Sequence, residues 1–122
     1  MSITEDGILA EKKARNILRK FGYNNIQQID WIVKSNNKYF VVEVKHRELF
    51  KPPPFLGTGL DIKQLQLRTQ LFDDLNIDTL LMVFVNDIIY SAWLSKLEKT
   101  EYFDTKNKIR IYNIKYFKKI EL

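Results

Sequence analysis

The chain has 122 residues and 14.6 kDa, which is room for one domain spanning 1–122. Apolar residues make up 45% and aromatics 13%, enough to fill a core and to argue against disorder, and no apolar run approaches the ~18 residues of a membrane helix. With 0 Cys there is neither a disulfide frame nor a thiolate zinc site, a single His leaves little for a Ser-His-Asp triad, and a net charge of +5 suits a polyanionic partner.

The N-terminus lacks a basic region followed by an apolar stretch, so a cytoplasmic protein without a membrane partner is expected. Ser2-x-x-Glu5 has the form of a capping box. Ala10, Ala14, Ile17, Leu18 and Phe21 then recur at helical spacing until Gly22, and Glu11 lies beside that stripe. Residues 23–34 and 38–45 read as strands joined by a turn at Asn36-Asn37. The run 51–59, with three prolines and two glycines, reads as a stiff surface loop.

After it, Thr58-x-x-Asp61 looks like an N-cap for a helix over 60–75. Residues 79–85 form a continuous apolar run, as in a strand covered on both faces. Residues 88–92 return antiparallel after Asn86-Asp87, a short helix covers 94–97, and a strand covers 109–114. The order predicts an α/β fold: a central mixed β-sheet flanked by helices.

Charge is unevenly placed. Residues 1–59 carry 10 Lys/Arg against 6 Asp/Glu, residues 60–95 carry 2 against 5, and residues 96–122 carry 8 against 4. Two basic ends around an acidic middle suit a polyanion touching particular faces, although solubility alone accounts for such a pattern equally well.

The candidate chemistry lies at Asp30 and Glu43-Val44-Lys45. The acid-x-Lys triplet selects nothing by itself, since the chain has four of them. Geometry selects. A two-residue turn at Asn36-Asn37 puts Asp30 directly across from Glu43, and strand alternation puts Lys45 on the same face. Phe40, Val42 and Val44 would then face the core. Opposed carboxylates repel unless a positive group lies between them, so hard oxygen ligands here favour Mg²⁺, with Mn²⁺ substituting. An ordinary solvated hairpin face is the plain alternative. Gln64 lies on the Leu60, Leu67, Leu71 stripe and so points inward, either toward this polar site or toward nearby backbone, with Arg68 one turn on.

Gly7-x-x-x-Glu11, Asp30, Glu43-Val44-Lys45 and Gln64 together resemble the PD-(D/E)xK nuclease superfamily, with a likeness to its archaeal-type Holliday-junction resolvases and related small nucleases. The resemblance implies a restriction-endonuclease-like αβββαβ core and Mg²⁺-dependent phosphodiester hydrolysis. It implies Asp30, Glu43 and the Val44 carbonyl as metal ligands, Lys45 at the attacking water, Glu11 in support and Gln64 lining the site. Ile29 stands where a proline often precedes the aspartate. His46 would point away from the site.

Around that centre, Lys51, Thr58, Gly59 and the following helix N-terminus, together with Arg68, are candidates for holding backbone phosphates. A basic tail with Lys115, Lys118 and Lys119 would flank DNA, with Tyr112, Tyr116 and Phe117 either stacking on bases or filling the core. The expected function is a metal-dependent DNA endonuclease with a branched-DNA substrate such as a Holliday junction. Such a protein would be nucleoid-associated, and paired cuts would suit a homodimer. A non-cleaving nucleic-acid- or protein-binding module and an RNA-directed nuclease are the alternatives, because basic patches recognise phosphate in either polymer.

Overall fold

The computed structural model of the chain describes residues 31–121. The expected first helix, Glu11 and Asp30 lie outside the described residues.

Strands β1 (Trp31–Ser35) and β2 (Lys38–His46) form an antiparallel hairpin. Asn36 and Asn37 adopt φ of 51° and 64°, the left-handed pair that matches a two-residue turn to the twist of its strands. Ser35 pairs with Lys38 and Trp31 with Val42, the register that such a turn requires.

The chain then passes through an exposed proline segment, closed where Phe50 and Gly57 exchange backbone hydrogen bonds of 2.8 and 3.0 Å. The expected surface loop ends earlier than residue 59, because Gly57–Asp61 is strand β3 and Gly57 to Leu60 are all buried. A Cβ on Gly59 would lie 1.7 Å from the Arg110 carbonyl oxygen, so only glycine permits this approach of two backbones.

Helix α1 (Ile62–Leu75) follows directly. Its N-cap is Asp61, whose carboxylate accepts from the Lys63 amide at 2.9 Å. The sequence places the cap at Thr58 instead. Thr58 belongs to β3, and the helix starts two residues later than expected. Asn76 closes α1 in the left-handed conformation, with φ of 56°. Leu65, Arg68 and Leu71 form the buried side of the helix.

Strand β4 (Thr79–Val85) runs parallel to β2, and β5 (Ile88–Trp93) returns antiparallel to β4. The short helix α2 (Leu94–Leu97) lies where expected. Beyond it are β6 (Tyr102–Asp104), β7 (Ile109–Asn113), a 3₁₀ turn at Ile114–Tyr116 and β8 (Lys118–Glu121). The sequence reading has neither β6 nor β8.

The result is α/β, with a mixed five-stranded sheet in the order β1-β2-β4-β5-β8. A three-stranded antiparallel sheet, β3-β7-β6, accompanies it. The core includes Leu60, Leu65, Leu81, Leu97 and Tyr112, drawn from both sheets and both helices, and a smaller cluster joins Ile32 and Val41 to Leu71.

Two expectations about faces are corrected. On β2 the deeper face is that of Val41 (0% exposed) and Glu43 (1%), because α1 covers it, while on the other face Val42 is buried as expected (6%) and Phe40 and Val44 are half-buried. On β4, Thr79, Leu81 and Val83 are buried, whereas Leu80, Met82 and Phe84 are only partly covered.

Candidate active site

Glu43 sits in the middle of β2, paired across the parallel ladder with Leu81. An ionised carboxylate there would be costly unless its oxygens were held. Both are. Gln64 of α1 donates through Nε2 to Oε1 at 3.1 Å, and Arg68, one turn further along, donates through Nη2 to Oε2 at 3.3 Å. Lys45, two residues on and so on the same face of β2, brings Nζ within 3.6 Å of Oε1.

These four groups differ in access. The Glu43 and Arg68 side chains are 2% and 3% exposed, whereas Lys45 is 23% exposed. The inner pair is therefore shielded from water, and the Lys45 ammonium is the cation that can meet a ligand arriving from solvent. The inward-pointing Gln64 of the sequence reading reaches the polar site, as the first of its two alternatives has it.

Among the described residues no three His, Cys, Asp or Glu side chains come together to hold a metal ion. Glu43 fits a hard divalent cation as one carboxylate ligand, although its oxygens already meet a carboxamide and two cations. A complete ligand set therefore needs a further carboxylate, the part assigned to Asp30 outside the described residues.

No protein-family model matches the chain, and no curated protein matches it. It is similar to the solved structure of Hjc, a Holliday junction resolvase from the archaeal hyperthermophile Archaeoglobus fulgidus, at 14% identity and a TM-score of 0.45. That similarity covers 70% of this chain and 62% of the resolvase.

The candidate phosphate contacts fare differently from the centre. Thr58 is 0% exposed and Gly59 is locked against β7, so neither presents a surface to a phosphate. Arg68 is likewise inside, because its place between Leu65 and Leu71 on α1 turns it toward Glu43. Lys51 is exposed on the proline segment, and Lys115, Lys118 and Lys119 are exposed near the C-terminus. Lys118 and Lys119 belong to β8, three strands and about 14 Å from β2 across the sheet. The basic tail thus flanks the Glu43 cluster at a distance. Lys115 and Lys119 form exposed ion pairs with Glu101 and Glu121, at 3.6 and 3.1 Å.

Arg110, also in the basic tail, is used internally. Its guanidinium grips Asp104 at 2.9 and 3.1 Å, meets Glu98 at 3.3 Å and stacks 3.8 Å above the Tyr102 ring. The Asp104 hydrogen bonds hold its pKa above the ordinary arginine range. Tyr112 and Phe117 are core residues, and Tyr116 is 40% exposed beside Lys115. The Tyr112 hydroxyl is buried near the Glu98 carboxylate, and burial, reinforced by that carboxylate, pushes its ionisation up.

Two features escape sequence reasoning. The His46 ring stacks on Phe84 of β4, with centroids 5.0 Å apart and planes 26° from parallel. Arg47 follows it half-buried, and desolvation lowers its pKa against the opposing pull of Asp61. Strand alternation does turn His46 away from Lys45. Its neighbour depends on the β2–β4 register, which no local pattern reveals.

Proposed function

We propose that this chain is a metal-dependent nuclease of the PD-(D/E)xK type that hydrolyses phosphodiester bonds in DNA. The observation that supports it is the Glu43 carboxylate, buried and held at both oxygens, beside a Lys45 ammonium that remains open to solvent. A structural ion pair has no need of that asymmetry, whereas a hydrolytic centre needs a fixed acid and an accessible cation.

Glu43, with Asp30 and the Val44 carbonyl, would hold Mg²⁺ or Mn²⁺. When bound, such a cation supplies activation of water near neutral pH and neutralises charge at the scissile phosphate. The chain's own residues do the rest. Gln64 and Arg68 fix the rotamer of Glu43, which keeps its carboxylate aimed without reorganisation. Lys45 holds an approaching water or phosphate oxygen and stabilises the charge that grows during attack. Glu11 would support the same water. Lys51, Lys115, Lys118 and Lys119 would contact backbone phosphates, and a branched substrate cut in pairs would suit a dimer.

The test is cleavage of a four-way junction, a flap, a linear duplex, a single strand and an RNA, each with and without Mg²⁺, alongside Glu43→Gln. Metal-dependent product from DNA that vanishes in the variant supports the proposal. A non-cutting binding module is the second reading, favoured by the full engagement of Glu43. Tight DNA binding with no product in Mg²⁺ or Mn²⁺ would select it.

A further inference from the structure

We propose that the His46–Phe84 ring pair is a seat for an unpaired nucleobase, set on the opposite face of the sheet from Lys45 and one residue beyond it. The proposal rests on the nucleic-acid substrate inferred above and adds what that substrate must offer: a base free to leave its stack.

The two rings are brought together by the ladder. His46 pairs with Phe84 across parallel strands β2 and β4, and their carboxyl ends finish side by side. In α/β sheets that end is where loops diverge and ligands gather. Here His46, Arg47, Glu48, Phe84, Val85 and Asn86 line an open cavity of about 350 Å³.

Phe84 is half-buried and supplies the floor. His46 lies over it, yet is itself solvent-exposed. A planar ring added to that exposed side would extend the stack, and any base has a π-face to offer, so the seat would be indifferent to sequence. Arg47, half-buried and within electrostatic reach of Asp61, lines the same cavity and puts a guanidinium near its edge. Asn86, held in a left-handed turn conformation with φ of 53°, places a carboxamide at the rim, able to donate and accept at a base edge.

A paired base cannot reach such a seat without leaving its duplex. The arrangement therefore selects DNA that offers a displaced or single-stranded base.

The test uses the full chain carrying Glu43→Gln, so that binding is read without cutting, and two DNA probes containing 2-aminopurine. In one the fluorescent base is paired within a duplex. In the other it is the first unpaired base beside the same duplex. Binding should quench the unpaired probe. His46→Ala should remove the quenching and weaken affinity for that probe about tenfold, while affinity for the paired probe stays nearly constant. His46→Trp, which restores a larger ring, should bring both signals back. Unchanged quenching and affinity in His46→Ala would overturn the seat, as would an equal loss on both probes. The nuclease reading is judged separately, by product from the wild-type chain with Mg²⁺ or Mn²⁺. Quenching through His46 without product would sink the nuclease and keep the seat. Product with a silent His46→Ala would do the reverse.

Discussion

Arg68 of α1 and Glu43 of β2 form a buried ion pair at 3.3 Å, with side chains 3% and 2% exposed. Removing one partner of such a pair strands the other charge in the interior. Arg68→Ala should destabilise the fold by about 3 kcal/mol, toward the low end for broken buried pairs because Lys45 and Gln64 still attend Glu43. Pairing Arg68→Met with Glu43→Leu should recover most of that loss. Denaturant midpoints of the single and double variants check this, and an unchanged midpoint for Arg68→Ala would refute the role of the pair.

Glu43→Gln keeps the shape and gives up the charge. It should fold, bind DNA, fail to cut it and bind Mn²⁺ more weakly than wild type. Titration of Mn²⁺ by calorimetry gives the second reading independently of turnover. Normal cutting in excess chelator would dispose of the metal altogether.

Lys45→Ala should lose rate rather than affinity. An ammonium aimed at charge that develops during attack contributes more to the transition state than to the bound substrate. A fall in single-turnover rate on the order of 10²-fold, with DNA affinity within a few-fold of wild type, is the expected outcome. The reverse pattern would make Lys45 a phosphate clamp.

How far the site is legible in the sequence depends on the range of the forces involved. The β1–β2 hairpin is local: two Asn residues set the turn, the turn sets the register, and alternation places Glu43 and Lys45 on one face. Gln64 and α2 are legible for the same reason, since their periodicity is contained in a few residues. β3 is not. A glycine-rich stretch after three prolines has the composition of a loop, and it becomes a strand only because β7, some fifty residues later, pairs with it. The consequence reaches the phosphate contacts: Thr58 and Gly59 have the composition of a phosphate-binding helix start, yet they are interior strand positions. The charge of Arg68 suggests a phosphate contact, whereas its neighbours Leu65 and Leu71 show that it faces inward.

The C-terminal basic cluster separates footprint from chemistry. Replacing Lys115, Lys118 and Lys119 together should flatten the log–log dependence of affinity on salt by up to ~3 units, if each contacts a phosphate. The exposed pairs with Glu101 and Glu121 are weak enough to yield to DNA. Cutting of bound substrate should barely change, because β8 lies across the sheet from Glu43. An unchanged slope would assign these lysines to solubility.

Tyr112 makes a prediction about alkali. Its hydroxyl is held protonated in the fold, whereas an unfolded tyrosine ionises near ~10. Below that pH both states keep the proton and stability is unaffected. Above it the unfolded state sheds a proton that the native state retains, so stability falls with rising pH by up to ~1.4 kcal/mol per unit. Tyr112→Phe should flatten that decline. It should also change stability at pH 7 by no more than about 1 kcal/mol, since it removes one buried hydroxyl and leaves the ring in place. Denaturant midpoints at pH 7 and above 10 test both statements. An unaltered alkaline slope in Tyr112→Phe would assign the effect to another group.

The pairing of β3 with β7 has a mechanical consequence. Because Asp61 ends β3 and caps α1 in the same stroke, the helix that carries Gln64 and Arg68 is hinged to the small sheet, while Glu43 and Lys45 ride on the large one. The cluster therefore bridges the two sheets through bonds of 3.1 and 3.3 Å, whose geometry fails if α1 shifts against β2 by about an ångström. A side chain at Gly59 would push β3 off the Arg110 carbonyl, and because α1 starts where β3 ends, that displacement would carry Gln64 and Arg68 away from Glu43 without touching it.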